Sequence, residues 1–183
     1  MQNPSAYELV SAEEAEPAPA EGAVKTVNVT AALHELYAAG NGKVVKVEDV
    51  PDDVFASKAL GDGVAVILED GKVYAPADGE ISMVADTLHA YGITTPDGLE
   101  LLVHIGVNTV ELKGQGFQPK VSVGQTVQAG DLLCEVDMKL MKSKGYPMHT
   151  PTLLTNGDEC GEITLLPCDK AKAGKTVVVQ YRL

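Results

Sequence analysis

The chain of 183 residues contains no tryptophan, and its aromatic residues are six Tyr and two Phe. With 45% of residues apolar, a sizeable core is still available, and it must be built mostly from Val, Leu, Ile and Ala. Basic residues are scarce. Against 14 Lys and Arg stand 26 Asp and Glu, a formal charge of −12. So acidic a chain cannot hold phosphate backbones by neutralising them, and no nucleic acid partner is expected. No stretch approaches the roughly 18 consecutive apolar residues of a membrane span, so direct membrane insertion is not expected either. The amino-terminal stretch has neither the basic residues nor the apolar run of a signal peptide. Cys134, Cys160 and Cys168 are odd in number and form no CxxC pair, so neither a disulfide framework nor a cysteine zinc site is suggested. These absences describe a soluble protein of a reducing compartment, expected in the cytoplasm.

What is present divides at about residue 35. Residues 1–35 read as an acidic, Pro/Ala-rich disordered tail or linker, with Glu8, Glu13, Glu14, Glu16 and Glu21 against the single Lys25. Its core, residues 11–22, has too little apolar surface to offset the entropy of ordering it. Near the junction, Thr30 could cap a short helix over residues 31–36.

Residues 36–183 form the expected folded domain. Glycine recurs at short intervals, and between glycines lie β-branched runs at 43–47, 64–68, 72–74, 99–105, 132–136 and 176–180. Short strands parted by Asn41-Gly42, Asp78-Gly79 and Asn156-Gly157 predict an all-β fold, an antiparallel β-sandwich with Gly-rich hairpins. At most short helical turns are expected, at 51–58 and 138–144. The stretch 36–44 echoes 73–81, each reading as strand, tight turn and strand, which suggests pseudo-symmetry.

Four histidines could carry chemistry. His34 at the domain edge and His149 in the turn-like stretch Pro147-Met148-His149-Thr150-Pro151 read as solvated. In Leu101-Leu102-Val103-His104-Ile105-Gly106, strand alternation puts Leu101, Val103 and Ile105 on one face and His104 with Leu102 on the other. An imidazole among apolar neighbours stays neutral and nucleophilic, and Gly106 permits close backbone approach. The strand alone leaves open a histidine merely tolerated in a sheet. Thr87 and His89 share a face if extended, so the hydroxyl can orient the imidazole.

Five motifs now come in order: Val47-Glu48-Asp49-Val50-Pro51-Asp52-Asp53-Val54-Phe55-Ala56, Gly61-Asp62-Gly63-Val64-Ala65, Tyr74-Ala75-Pro76-Ala77-Asp78-Gly79, Thr87-Leu88-His89-Ala90, and the run from Val103-His104-Ile105-Gly106 to Leu112. Together they resemble the glucose-type enzyme IIA domain of the bacterial phosphoenolpyruvate-dependent sugar phosphotransferase system, over roughly residues 36–183. The resemblance implies a phosphoryl relay. His104 matches the acceptor that takes the group from the phosphocarrier HPr and passes it to a cysteine on a IIB domain. His89 matches the second active-site histidine, and Thr87 the threonine bonded to it. Val54, Phe55, Leu60, Leu102 and Val110 match an apolar partner-binding rim, with Phe55 the favoured docking residue. Ala85 and Leu102 stand where many relatives carry phenylalanine, and Asn108 where some carry aspartate, so the docking surface is smaller and less acidic. No cofactor and no metal are implied.

A rival lies in the segment from Val121 to Leu140, which resembles the half of a biotinyl or lipoyl carrier that presents its modified lysine, here Lys139. It gives His89 and His104 no role, and its Met138-Lys139-Leu140 departs from the usual Met-Lys-Met. A zinc hydrolase built on the two histidines lacks HExxH and an evident third ligand.

Overall fold

A computed structural model of the protein describes residues 31–183, and Leu33–Leu183 form one unit. The expected tail, residues 11–22, and the Thr30 cap lie outside the described residues. The strands are β1 (His34–Tyr37), β2 (Gly42–Lys46), β3 (Asp62–Leu68), β4 (Lys72–Tyr74), β5 (Gly79–Val84), β6 (Ala90–Thr94) and β7 (Glu100–His104). They continue as β8 (Phe117–Pro119), β9 (Thr126–Val127), β10 (Leu132–Val136), β11 (His149–Leu154), β12 (Glu162–Leu165), β13 (Cys168–Ala171) and β14 (Val177–Arg182). Two short α-helices, α1 (Asp53–Ala56) and α2 (Met138–Lys144), complete the described residues with a few 3-10 turns. The fold is the expected antiparallel β-sandwich.

An eight-stranded sheet, ordered β13-β2-β3-β11-β7-β6-β5-β9, packs against two three-stranded sheets, β1-β14-β12 and β4-β10-β8. Strand alternation sends Val44, Val66, Ile81, Tyr91, Ile93, Leu101 and Val103 inward from the large sheet. They meet Leu36, Val73, Cys134, Val136 and Val179 from the small ones. Burial of aliphatic surface at about 25 cal/mol per Å² is the main term holding these layers together.

The echo between 36–44 and 73–81 reflects a real pseudo-symmetry, though its strands do not pair as hairpins. β1 pairs with β14 and β4 with β10, while β2 and β5 cross into the eight-stranded sheet. Reversing that sheet exchanges β13-β2-β3-β11 with β9-β5-β6-β7, and the three-stranded sheets exchange with each other. Backbone bonds repeat accordingly. Tyr37 N–H donates to the Pro76 carbonyl at 2.8 Å, as Tyr74 N–H does to Ala39 at 2.7 Å. Gly174 N–H donates to Ala38 and Gly130 N–H to Ala75, at 3.0 and 2.8 Å.

Two expectations are corrected. The segment at 31–36 is not a helix: His34–Tyr37 is a strand, because β14 offers it an apolar, hydrogen-bonding edge that an isolated helical turn lacks. His34 there pairs with Asp97 at 3.1 Å and stacks on Tyr181 at 5.1 Å, so it is no idle solvated histidine. The stretch around His149 is not a turn but the start of β11, near the middle of the large sheet. Pro147 and Pro151 gave it a turn-like reading. Pro151 is tolerated because its missing N–H faces β7 just where β7–β11 pairing has stopped, at Thr152 opposite Val103.

Candidate active site

On β7, Leu102 and His104 point away from the main core. The outer face they share is covered by the chain linking β2 to β3. Val47, Val50 and Phe55 from that link bury with Ala65, Val107 and Leu153 in a second apolar cluster, with Leu102 and Val45 at its margin. Helix α1 is only one turn long, too short to stand on propensity. It forms because Asp52 caps it, its Oδ1 accepting the N–H groups of Val54 at 2.9 Å and Phe55 at 3.1 Å. Phe55 is thereby only 6% exposed. Its ring meets His104 edge-on, with centroids 4.8 Å apart and planes at 66°.

His89 arrives from the tight link between β5 and β6. Its Nδ1 lies 2.7 Å from Thr87 Oγ1, and its carbonyl accepts Ile105 N–H at 2.7 Å. Because Ala90 stands opposite His104 in the β6–β7 ladder, the two imidazoles meet at 4.8 Å, nearly perpendicular at 81°. His104 Nδ1 lies 2.9 Å from the Gly106 carbonyl. A carbonyl can only accept, so Nδ1 carries the ring proton and the Nε2 lone pair is free. Gly106 is at φ 74°, a left-handed conformation, and a Cβ there would lie 2.7 Å from Thr109 Cγ2. Val107 N–H donates to Pro147 at 2.9 Å, fastening the loop from behind.

Burial, and then the neighbouring His89, push His104 down to about 4, against the opposing pull of the Gly106 carbonyl and the Asp52 carboxylate. Burial also lowers His89, partly offset by a backbone contact with Thr87. Both rings are therefore neutral at neutral pH. A fixed, uncharged nitrogen nucleophile beside a second orientable imidazole can accept and release an electrophilic group.

The structure thus brings Thr87, His89 and His104 together. Of the expected rim, Val54, Leu60 and Val110 are exposed at 51%, 42% and 48%, and Leu102 is half-buried. Phe55 differs. Expected as a docking residue, it is a wall of the site, because the cap turns its ring inward onto a sheet that would otherwise expose Ala65 and Leu153. Sequence reasoning missed Asp52 as the cap and Pro151 as the stop to β7 pairing. Asp52 was readable as an N-cap following Pro51; the role of Pro151 needs the register. Lys139 lies exposed in the first turn of α2, which Asp137 caps through Leu140 N–H at 3.0 Å, rather than at a hairpin tip. The carrier reading is not supported. Among the described residues no group of three or more His, Cys, Asp and Glu side chains is placed to hold a metal ion.

A sequence profile of the family described as phosphoenolpyruvate-dependent sugar phosphotransferase system, EIIA 1, matches residues 34–160. The chain belongs to this family. A PTS system glucose-specific EIIA component of Halalkalibacterium halodurans is 45% identical over 148 residues, 81% of this chain and 86% of that one. One from Haemophilus influenzae is 43% identical over 143 residues, covering 78% and 82%. A glucose-specific EIICBA component of Streptococcus pneumoniae is 40% identical over 163 residues, 89% of this chain but 22% of its own length. Among solved structures, glucose permease IIA from Mycoplasma capricolum superposes with a TM-score of 0.75 at 33% identity, covering 81% and 96%. This EIIA protein is accordingly a phosphoryl-relay component of the sugar phosphotransferase system, hence a phosphotransferase component. No helix among the described residues is long and apolar enough to cross a membrane.

Proposed function

We propose that His104 carries the phosphoryl group as a phosphohistidine. The supporting observation is the bond between His104 Nδ1 and the Gly106 carbonyl, which leaves Nε2 as the one free nucleophilic atom of a ring already held neutral. The Nε2 lone pair attacks the phosphorus of the phosphohistidine on HPr. The N–P bond to HPr breaks, its electron pair stays on the HPr nitrogen, and the His104 Nδ1 proton does not move. A IIB cysteine thiolate then attacks, and the pair of the broken bond returns to Nε2. With the Thr87 hydroxyl donating to Nδ1, His89 presents an Nε2–H to the phosphoryl oxygens. Most of the acceleration is positioning and charge stabilisation.

Val54, Leu60, Leu102 and Val110 would form the apolar surface for both partners, in the cytoplasm. A IIB-type acceptor accords with the fused relatives named EIICBA and EIIBCA components. The residues before β1 would serve as a linker. The test is a two-stage transfer assay with phosphoenolpyruvate, enzyme I, HPr and a IIB domain. His104→Gln should accept no label. His89→Gln should accept it but donate about 10²–10³ times more slowly, as for a lost oxyanion donor. Thr87→Val should show a milder form of the donation defect. Labelling of His104→Gln at the wild-type level would sink the assignment.

A further inference from the structure

We propose that Asp52 is a positioning residue for phosphoryl transfer, acting through Phe55: its cap on α1 sets the aromatic wall that aligns His104. The proposal rests on His104 being the acceptor. Helix α1 spans Asp53–Ala56, a single turn whose propagation contributes almost nothing by itself. Its order comes from its contacts. Asp52 Oδ1 takes the N–H groups of Val54 and Phe55, and the Asp52 carbonyl takes Ala56 N–H at 2.9 Å. Ser57 Oγ donates to the Val54 carbonyl at 2.9 Å, closing the other end. Ser57 N–H and Lys58 N–H donate to the Asp53 and Phe55 carbonyls, each at 3.0 Å, Lys58 Nζ pairs with Glu48 and Asp62, and Phe55 is seated among Val47, Val50, Ala65, Val107 and Leu153. One carboxylate therefore caps a turn whose single buried side chain is the one touching the acceptor imidazole.

The consequence for His104 is geometric. Its ring is bonded at Nδ1 to Gly106, which fixes one edge and leaves rotation about that edge unopposed. Phe55 from the β2–β3 link and His89 from the β5–β6 link, both edge-on at 4.8 Å with planes at 66° and 81°, close off that rotation and aim Nε2. The charged and titratable groups acting on His104 are His89 from the β5–β6 link and Asp52 from the β2–β3 link. Asp52 could act through its charge, by favouring the imidazolium, or through its cap. The ring is already neutral near pH 7, so removing the charge there changes little, whereas removing the cap frees Phe55.

The two roles separate in the full chain. Asp52→Ala removes charge and cap; Asp52→Asn removes the charge and keeps an equally good cap; Asp52→Ser keeps a shorter cap. Acceptance from HPr should fall roughly tenfold in Asp52→Ala, the order expected when an oriented group loosens. It should recover to within about threefold of wild type, or exceed it, in Asp52→Asn, with Asp52→Ser between. The unphosphorylated protein gives a readout independent of transfer. The His104 ring carbon-bound protons, shifted by the edge-on Phe55 ring, should move toward their ordinary shifts in Asp52→Ala. They should return in Asp52→Asn. Asp52→Asn resembling Asp52→Ala in both readouts would overturn the proposal in favour of a direct charge role. Unchanged ring shifts and rate in Asp52→Ala would overturn it outright. Failure of the wild type to label on His104, with the ring shifts behaving as described, would instead remove the functional reading on which the proposal rests.

Discussion

The two halves of the sandwich are alike in their strands and unlike in their links. β2 leads to β3 through residues 47–61, which fold over the outer face and bury Phe55, while the related passage from β5 to β6 is the short turn 85–89 carrying His89. β7 reaches its following 3-10 turn, Thr109–Leu112, through Ile105, Gly106, Val107 and Asn108. The related β11 reaches Gly157–Glu159 through Thr155 and Asn156 alone. Gly106 sits at φ 74° with its carbonyl on His104, whereas Asn156, at φ −111°, ties Glu100 N–H and the Gly98 carbonyl together. The repeated scaffold supplies two similar sheet ends. The site exists at only one, where a long link, a short link and an added glycine coincide.

The largest expected effect falls on the long link. Phe55→Ala removes a fully packed ring from the second cluster and should cost about 3–5 kcal/mol in stability, whereas exposed Val54→Ala should stay within about 0.5 kcal/mol. Urea unfolding monitored by circular dichroism gives both values. Equal, small losses would mean that the link lies loosely on the sheet and contributes docking rather than structure.

Next comes pH. Burial holds the folded-state His104 pKa at about 4, below the ordinary 6.5 of the unfolded chain. The unfolded state therefore takes up its proton first as pH falls. The stability associated with His104 is complete above about pH 6.5 and is lost between there and about pH 4, a difference on the order of 3 kcal/mol. His104→Gln should lack this component, so the stability gap between it and wild type should close or invert in acid. Phosphoryl acceptance should meanwhile stay level from about pH 8 to 5, as expected of a ring that remains neutral. A rate that halves near pH 6.5 would show a solvated histidine instead.

Much of this was legible beforehand because it depends on local chemistry. Alternation in Leu101–His104 placed His104 opposite the main core, and glycine-parted β-branched runs marked most of the long strands. β11 was hidden by Pro147 and Pro151, since local reading cannot know that the missing N–H of Pro151 falls just beyond the last β7–β11 pair, Thr152 with Val103. At the sheet edges, β12 was hidden by its alternation of exposed and half-buried residues and β13 by its exposed pair Asp169 and Lys170. Phe55 was read from its turn-rich neighbours, yet its burial is decided by a face of β3, β7 and β11 assembled from distant sequence.

The paired loops offer a third comparison. Gly106→Ala forces a side chain into the left-handed region, at about 1–2 kcal/mol, and against the Thr109 methyl. The carbonyl holding His104 should shift, and acceptance should drop about 10²-fold, as a misplaced reacting group does. Asn156→Ala at the related end should instead lower the melting temperature without altering the rate of the folded protein. If Asn156→Ala also slowed transfer, the two ends would be coupled through the sheet.

The smallest effect concerns where β1 begins compared with its counterpart β4. β1 is fastened at its first residue: His34 pairs with Asp97, stacks on Tyr181, and Tyr181 O–H donates to Asp97 at 2.8 Å. A partly exposed His–Asp contact contributes up to about 1 kcal/mol and a stacked ring pair about 0.5–1.5 kcal/mol. Deleting residues 1–30 should leave the melting temperature unchanged, if that segment is the linker its composition suggests. Deleting residues 1–34 takes His34 with it, and the melting temperature should fall by about 3–6 °C. Phosphoryl acceptance should be the same in both, because the contacts removed lie on β1, β14 and the β6–β7 turn and none reaches His89 or His104. Scanning calorimetry of the two truncations decides the point. An equal loss in both would place stabilising contacts before residue 31, and no loss in either would reduce the His34 cluster to a surface contact that β14 does not need.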